Sequence, residues 1–178
     1  MEVLQSIDWW ILHFIRDNLA CGFLDFVMPK LTLLGDKGII WIAISLVLIA
    51  TKKYRKCGLL CLAGMVIGLV VGNVFLKNLA ARPRPCWIED VNMIVSIPGD
   101  FSFPSGHTLS SVISTVILML TNKKFGWFAI PLTVIVAFSR LYLYVHFPTD
   151  VVFGAILGVA IGFFTWFLSK KIKPLNRL

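Results

Sequence analysis

The sequence predicts an all-α membrane protein, a six-transmembrane-helix bundle with an N-terminal interfacial amphipathic helix. The 178 residues are 58% hydrophobic and only 15% charged, and their mean hydropathy is +0.86, values outside the usual composition of soluble domains. The apolar residues fall in runs whose length suits a bilayer, and the Lys and Arg residues cluster between those runs. Since no Pro/Ser-rich linker divides the chain, residues 1–178 are expected to form a single membrane-embedded domain.

The N-terminal segment, residues 6–19, is predicted to form the interfacial helix. Helical periodicity places a group of large apolar side chains on one side of it: Ile7, Trp10, Ile11, Phe14 and Ile15. Asp8, Arg16 and Asp17 lie elsewhere on the same helix. The segment therefore has the two faces expected of a helix that lies in the membrane surface.

Six apolar stretches are predicted to cross the membrane: 19–35, 38–51, 57–77, 108–121, 125–144 and 150–169. Most are near the length that a hydrocarbon core of ~30 Å demands, whereas the second reaches it only if its ends extend. The first stretch contains Asp25, Pro29 and Lys30. We therefore expect it to be short or bent.

The positive charges predict the orientation of the bundle. Ten of the 17 Lys and Arg residues form three clusters: Lys52, Lys53, Arg55 and Lys56; Lys123 and Lys124; and Lys170, Lys171, Lys173 and Arg177. Such clusters mark cytoplasmic ends of spans. With six crossings, both termini are then cytoplasmic, and the segments 78–107 and 141–149 face the extracytoplasmic side of the plasma membrane. Nucleic-acid binding is not expected, because the charges form no continuous basic face.

Two of the predicted spans carry glycines at intervals of four residues: Gly64, Gly68 and Gly72, and Gly154, Gly158 and Gly162. This spacing lets helix backbones approach closely. One explanation is general packing or dimerisation. The other is that the two helices pack on each other, which would bring Lys77 near Asp150.

Three polar clusters interrupt the apolar chain, and all three fall on the predicted outer side. In the first, Lys77 closes a predicted helix that two prolines then end. Arg82 and Arg84 follow on a stiff loop, and guanidinium groups match phosphate oxygens bidentately. Snorkelling towards headgroups explains any one of these cations. Together, however, these cations lie on the predicted outer side, where the positive-inside rule makes positive charge uncommon. Their presence there requires a local explanation.

The second cluster, Pro104-Ser105-Gly106-His107, stands directly before an apolar run and predicts a helix start. Unpaired backbone N–H groups at such a start bind anions, and Gly106 permits a phosphate to approach closely. Ser105 either caps the helix or donates its hydroxyl to a ligand. His107 can give a proton to a departing oxygen.

The third cluster places Arg140 at the outer end of a span, His146 in the short loop and Asp150 at the start of the next span. A carboxylate near a histidine fixes the ring tautomer and leaves the other nitrogen free to attack phosphorus. A helix dipole alone explains an acidic residue at this position. That explanation weakens because both histidines and several cations gather on the same side.

Together the clusters supply a nucleophile, an orienting acid, a proton donor and cations, which are the parts needed for phosphoryl transfer through a phosphohistidine. The acidic residues of the outer loop lack the paired geometry of a magnesium site: Glu89, Asp90 and Asp100. The four cysteines lack zinc-site spacing. We therefore expect no metal and no other cofactor, and cations of the chain would meet the charge of the transition state.

These clusters resemble the signature of the type 2 phosphatidic acid phosphatase superfamily: Lys-six residues-Arg-Pro, Pro-Ser-Gly-His, and Ser-Arg-five residues-His-three residues-Asp. Every element is present, as Lys77, Arg84 and Pro85; Pro104, Ser105, Gly106 and His107; and Ser139, Arg140, His146 and Asp150. Three separated matches are specific. The resemblance implies a metal-independent lipid phosphatase in which His146 is the nucleophile, Asp150 its partner and His107 the acid for the leaving group. It also implies a set of phosphate-binding residues: Lys77, Arg84, Ser105, Gly106 and Arg140.

The signature holds the phosphate and does not select the lipid. Members of the superfamily act on undecaprenyl diphosphate, phosphatidylglycerophosphate and phosphatidate, and the compact chain resembles the bacterial members. Undecaprenyl diphosphate is therefore the first choice of substrate. Arg82 lies outside the signature, so we expect it to contact a headgroup or to have no role. We expect no obligate protein partner.

Two alternative functions share some of these features. One is a phosphotransferase that passes the phosphate to another lipid instead of water. The other is a small transporter subunit, whose charges should recur at mid-span depth. The spans within 108–138 and 151–169 contain no ionisable residue apart from Lys123 and Lys124, which argues against the transporter.

Overall fold

The computed structural model describes residues 2–171, and every regular element in that range is helical. In chain order the helices are α1 (Glu2–Leu19), α2 (Gly22–Gly35), α3 (Ile39–Ala50), α4 (Arg55–Gly68), α5 (Lys77–Ala80), α6 (Pro85–Ile88), α7 (Gly106–Thr121), α8 (Lys123–Tyr142) and α9 (Pro148–Lys171). A π-helical stretch, Leu69–Leu76, joins α4 to α5. Short 3-10 turns lie at Asp36–Gly38 and Lys52–Tyr54.

Within residues 2–171, four helical segments are long and apolar enough to cross a membrane: Gly22–Ala50, Lys52–Ile88, Lys123–Tyr142 and Pro148–Lys171. Helix α7 is a fifth apolar helix, shorter at 16 residues. The predicted count of six crossings is not confirmed, because the first two predicted spans form one segment.

That first segment, Gly22–Ala50, bends where two residues adopt left-handed backbone angles, Lys37 with φ 49° and Gly38 with φ 71°. Just before it, the Cys21 N–H donates to the Tyr142 hydroxyl, 3.3 Å away at the end of α8 that leads into the loop 143–147. At its far end, the Ile49 carbonyl accepts from Arg55 Nε at 3.3 Å, where the chain turns into α4. The two legs therefore continue in one direction instead of turning back.

Helix α1 lies across the end of the bundle that carries the loop 143–147. Trp9 packs edge-on against Phe147 at 5.0 Å between ring centroids, and His13 Nε2 lies 3.0 Å from Glu89 Oε1. The side chains it buries include a charged one: Asp8, Leu12 and Ile15. Ile7, Trp10 and Phe14 face outward and are exposed. An apolar outer face suits a helix surrounded by lipid, and the place of α1 in the membrane surface stays a prediction.

The described ends of the chain lie at opposite ends of the bundle. Helix α1 sits at the end that carries His146, whereas α9 starts at that end and runs 24 residues away from it, ~36 Å. The expectation that both termini share one side depended on six crossings and does not fit this geometry. Lys173 and Arg177 of the third basic cluster lie outside the described residues.

The described members of the three basic clusters share the end of the bundle opposite His146. Cys57 Sγ lies 2.9 Å from Thr121 Oγ1, which joins the start of α4 to the end of α7. The Tyr54 and Phe125 rings meet at 4.9 Å, which joins the start of α4 to that of α8. The polar clusters and the basic clusters are thus separated along the bundle, as the sequence predicted.

Both glycine ladders pack against α7, which lies between α4 and α9. A Cβ added at Gly68 would come 2.5 Å from Ile113 Cδ1, and one added at Gly158 would come 2.8 Å from Val112 Cβ. Only small residues allow this approach. Helices α4 and α9 also contact each other, since a Cβ added at Gly64 would lie 3.4 Å from Thr165 Oγ1. The expected approach of Lys77 to Asp150 is not found, because Lys77 contacts Asp100.

Candidate active site

A cavity of about 900 Å³ opens at the end of the bundle that carries the three polar clusters. Its polar wall is formed by charged or ionisable side chains: Lys77, Arg84, Asp100, His107, Arg140 and His146. From there it continues along α3, α4 and the π-helical stretch, where apolar residues line it: Ile42, Leu62, Met65, Val66 and Leu69. Several of these side chains are also exposed on the surface of the bundle. The cavity therefore opens sideways at the depth of the apolar helices.

His146 lines the polar wall of the cavity and is 2% exposed. Its Nδ1 faces Asp150 Oδ2 at 3.7 Å and Ser102 Oγ at 3.4 Å. The Ser102 hydroxyl donates to Asp150 Oδ2 at 2.5 Å, and the Phe147 N–H donates to the same oxygen at 2.9 Å. With Nδ1 protonated, this arrangement leaves the Nε2 lone pair directed away from the carboxylate.

The His146 imidazole is held in its neutral form. Burial lowers its pKa below the usual value, and this effect together with the charges of Arg84 and Arg140 outweighs the raising effect of Asp150. Arg84 Nη1 lies 3.2 Å from Nε2, as a donor to a neutral ring nitrogen would. A neutral ring with an unprotonated Nε2 has the protonation state that a nucleophile requires.

The loop that carries His146 is strained at one position. Tyr144 has φ 59°, a left-handed angle that costs a residue with a Cβ about 1–2 kcal/mol. Its ring is buried, and its hydroxyl donates to Glu89 Oε2 at 2.7 Å. These contacts hold the loop in one conformation, which fixes the direction of the neighbouring imidazole.

Arg84 is fixed by bonds from every part of its guanidinium. Nε donates to the Asp100 carbonyl at 2.7 Å, Nη1 to the Val145 carbonyl at 2.6 Å, and Nη2 to Asp100 Oδ1 at 2.6 Å. Lys77 Nζ donates to the other carboxylate oxygen, Asp100 Oδ2, at 2.6 Å. The Asp100 carboxylate thus bridges two cations that the sequence predicted to bind phosphate.

The Asp100 carboxylate is ionised in this position. Partial burial alone would raise its pKa, but the hydrogen bonds and charges of Lys77 and Arg84 are stronger together and lower it to about 2. Its side chain is 57% exposed and reaches into the cavity from the loop. An anion already lies where the sequence placed the phosphate.

Arg140 enters the cavity from α8 and is anchored by α2. Nη1 donates to Thr32 Oγ1. Its Nε is buried and has no hydrogen-bond partner among the described residues. Since an unpaired buried donor is costly, a ligand oxygen at this nitrogen would be favoured.

The start of α7 supplies the second polar cluster. Gly106 and His107 line the cavity, whereas Ser105 is fully buried behind its surface. The Ser105 hydroxyl pairs with Thr108 Oγ1 at 3.0 Å and makes no capping bond to the helix backbone. The capping role expected of Ser105 is therefore not present. Gly106 packs against Asn73, since an added Cβ would lie 2.8 Å from Asn73 Oδ1.

Arg82 has partners that the sequence pattern did not indicate. Its Nη1 donates to Asp150 Oδ1 at 2.6 Å and to Thr149 Oγ1 at 2.7 Å. Its Nη2 donates to Asp8 Oδ2 at 2.7 Å and to Gln5 Oε1 at 2.8 Å. The expectation that Arg82 contacts a headgroup or has no role is not supported, because its side chain joins α1 to Asp150.

Six of the eight predicted site residues line the one cavity: Lys77, Arg84, Gly106, His107, Arg140 and His146. Asp150 lies behind His146, and Ser105 behind Gly106. Sequence reasoning missed Ser102 and the role of Asp100, both of which precede the second motif. It also missed Asn73, a polar residue in an apolar span whose Oδ1 is buried without a partner. Polarity within that span was the available signal.

Comparison with known proteins places the chain among membrane phosphatases. A model of the PAP2 superfamily matches residues 58–174. An undecaprenyl-diphosphatase of Sulfolobus acidocaldarius is 36% identical over 126 residues, which cover 70% of this chain but only 61% of that protein. The Bacillus subtilis undecaprenyl-diphosphatase BcrC is 26% identical over 155 residues, covering 85% of this chain and 78% of that one.

A solved structure has the same fold. The first transmembrane PAP2 type phosphatidylglycerolphosphate phosphatase from Bacillus subtilis superimposes with a TM-score of 0.79 at 30% identity. The superposition covers 97% of this chain and 89% of that one. The arrangement of helices around the cavity is therefore shared with a membrane phosphatase.

Proposed function

The chain belongs to the PAP2 superfamily and is a phosphatase, and on this premise we propose that it hydrolyses a lipid phosphate or diphosphate through a phosphohistidine on His146. One observation carries the proposal. A neutral, buried histidine with an orienting carboxylate lies beside three cations, at the end of a cavity whose other walls are apolar and open sideways. A lipid in the bilayer presents its phosphate and its chain in this same arrangement.

In the first step, His146 Nε2 attacks the terminal phosphorus, a P–N bond forms and the P–O bond to the lipid breaks. His107, which lines the cavity beside the phosphate cations, takes up a proton when the anionic substrate binds and gives that proton to the departing oxygen. Asp150 accepts the positive charge that develops on the His146 ring, directly and through Ser102. For a diphosphate substrate, the leaving group is the lipid monophosphate.

In the second step, water attacks the phosphorus of the phosphohistidine. His107, now neutral, takes a proton from that water, the P–N bond breaks and inorganic phosphate leaves. Lys77, Arg84 and Arg140 meet the charge on the three phosphoryl oxygens in both steps. The unpaired Nε of Arg140 gains its missing acceptor when phosphate binds.

The apolar part of the cavity supports a lipid substrate. Ile42, Val66 and Leu69 line it and are exposed at the bundle surface, so a chain can lie there without leaving the membrane. We propose undecaprenyl diphosphate as the preferred substrate. Two relatives carry that activity in their names, and a long prenyl chain suits an open, apolar groove.

A substrate panel tests this proposal. Purified protein in detergent is given undecaprenyl diphosphate, phosphatidylglycerophosphate and phosphatidate at equal mole fraction, and released inorganic phosphate is measured. We expect the highest kcat/KM for undecaprenyl diphosphate, and a lower value for a short water-soluble phosphate ester that cannot fill the groove. Phosphate release no faster than that of His146→Ala with every lipid would refute the lipid phosphatase.

We also propose that the site faces the extracytoplasmic side of the plasma membrane, because the basic clusters lie at the opposite end of the bundle. On this orientation α1 is extracytoplasmic as well, and Lys171 lies at the cytoplasmic end. A cysteine at Asn92, exposed in the loop after α6, should react with an impermeant thiol reagent on intact cells once the native cysteines are replaced. Labelling that requires lysis would reverse the orientation.

A further inference from the structure

We propose that Arg82, held by Asp8 of α1, is a positioning residue that fixes Asp150 for its action on His146. The inference rests on the proposed function, because it assigns to α1 a part in the nucleophilic step. It starts from a continuous chain of contacts that runs from α1 to the imidazole.

The guanidinium of Arg82 lies between two buried carboxylates. Asp8 is 1% exposed and Asp150 is 0% exposed, and each accepts one bond from Arg82, at 2.7 Å and 2.6 Å. The guanidinium carbon also stacks over the Phe147 ring at 4.1 Å from its centroid, next to His146 in the chain. Arg's planar fork can bind two carboxylates at once, which the single ammonium of Lys does less well.

Asp8 makes a second connection to the same region. Its Oδ1 accepts from the Thr149 N–H at 2.9 Å, and its Oδ2 accepts from the Thr149 hydroxyl at 2.5 Å. Thr149 directly precedes Asp150 at the first turn of α9. Helix α1 thus holds both the side-chain partner and the backbone neighbour of Asp150.

These contacts settle the direction of the Asp150 carboxylate. Oδ1 is bound by Arg82, while Oδ2 receives Ser102 and the Phe147 N–H and faces His146 Nδ1. Without Arg82, Oδ1 would be buried without a partner, and the carboxylate would rotate or lose charge by protonation. Either change weakens the support of the imidazolium that forms when His146 attacks.

The charge of Asp8 matters as much as its geometry. Without Asp8, the positive charge of Arg82 would weaken the attraction between the Asp150 carboxylate and the imidazolium of His146. The negative charge of Asp8 offsets the charge of Arg82. Arg82 and Asp8 do not line the cavity, whereas the phosphate cations do. The pair should therefore act on the rate of phosphoenzyme formation and leave phosphate binding unchanged.

The test compares Arg82→Gln, Arg82→Lys, Asp8→Asn and the double variant Asp8→Asn/Arg82→Gln. We expect Arg82→Gln to slow single-turnover phosphoenzyme formation by about 10- to 100-fold, the scale seen when a residue that orients a ligand histidine is lost. Arg82→Lys should restore part of the rate. Asp8→Asn should lose less than Arg82→Gln, and the double variant should be no slower than Arg82→Gln alone, because both residues act through one contact.

Asp17→Asn is the matched control. Asp17 is an acidic residue of α1, like Asp8, but it is exposed and pairs with Arg16 at 3.1 Å, and among the described residues it has no hydrogen bond or ion pair to Arg82 or Asp150. We expect this variant to keep the wild-type rate of phosphoenzyme formation. Binding of inorganic phosphate, measured by titration calorimetry, should be the same in all folded variants. If Arg82→Gln does not fold, Arg82→Lys and Asp8→Asn carry the comparison.

Three results would overturn the inference: a wild-type rate in Arg82→Gln, a loss of phosphate binding that parallels the loss of rate, or a loss in Asp17→Asn equal to that in Asp8→Asn. Failure of the proposed function has a separate signature. In that case the wild-type protein itself forms no phosphoenzyme on His146, whatever the state of Arg82.

Discussion

Replacement of Asp100 by Asn is expected to tighten phosphate binding. In the ligand-free site the Asp100 carboxylate bridges Lys77 and Arg84, with 2.6 Å to each. Arg84 already donates through Nε, Nη1 and Nη2 within the protein. A phosphate that binds Lys77 and Arg84 must therefore displace this carboxylate or share its donors while facing its negative charge.

The size of the effect follows from exposure. Hydrogen bonds to charged groups contribute about 1.5–3 kcal/mol each, but the Asp100 side chain is 57% exposed, so solvent screens both contacts. We therefore expect the carboxylate to oppose phosphate by about 1–2 kcal/mol, which corresponds to roughly a 5- to 30-fold change in affinity. Asn keeps the shape of the side chain and removes its charge.

Titration calorimetry with inorganic phosphate at pH 7 measures this change on purified protein. Because the pKa of Asp100 is lowered to about 2, its ion pairs persist above the ordinary value of 3.8 and are lost as the pH falls towards 2. At neutral pH the Asp100 carboxylate is therefore ionised and competes with phosphate for Lys77 and Arg84. Asp90→Asn removes the same charge from the same loop without touching Lys77 or Arg84 and should leave the affinity unchanged. Equal or weaker binding in Asp100→Asn would refute the competition.

Three further predictions concern the cofactor, the acid and the packing. Activity should survive strong chelation, because Lys77, Arg84 and Arg140 supply the cations, and loss in EDTA that magnesium restores would contradict this. His107→Ala should lower kcat on lipid substrates by a factor of about 10², and it should lower kcat less on an ester with a good leaving group. An equal loss of kcat on both substrates would argue against His107 as the general acid. Gly158→Ala places a Cβ 2.8 Å from Val112 Cβ and should cost about 1–3 kcal/mol in thermal unfolding, whereas Gly22→Ala, with nothing within 4 Å, should not.

The parts of the site that depend on a short stretch of sequence could be predicted from the sequence. A helix start after Ser105, a carboxylate four residues after His146 and prolines after Lys77 each have a short-range physical meaning, and the structure places these groups around one cavity. Hydrogen-bond partners that are far apart in the chain could not be predicted. Arg82 finds Asp8 74 residues away, and Lys77 finds Asp100 23 residues away.

The count of crossings shows a different limit. Gly35-Asp36-Lys37-Gly38 interrupts an apolar run, and hydropathy cannot distinguish a turn that reverses the chain from a bend that continues it. Left-handed angles at Lys37 and Gly38 make it a bend. Asp8 was likewise placed with Arg16 and Asp17, away from the apolar side of a surface helix. In the structure Asp8 is buried against the bundle, whereas Arg16 and Asp17 are exposed. Helical periodicity does not show which polar side chain of a helix faces its neighbours.

The most direct test of the central claim is to trap the phosphoenzyme. Protein turning over a lipid whose terminal phosphate is labelled is quenched with denaturant at alkaline pH and mapped by mass spectrometry. We predict phosphate on His146, a higher trapped fraction in His107→Ala with an ester that has a good leaving group, and none in His146→Ala. Phosphate on His107, or on no histidine during active turnover, would contradict the account.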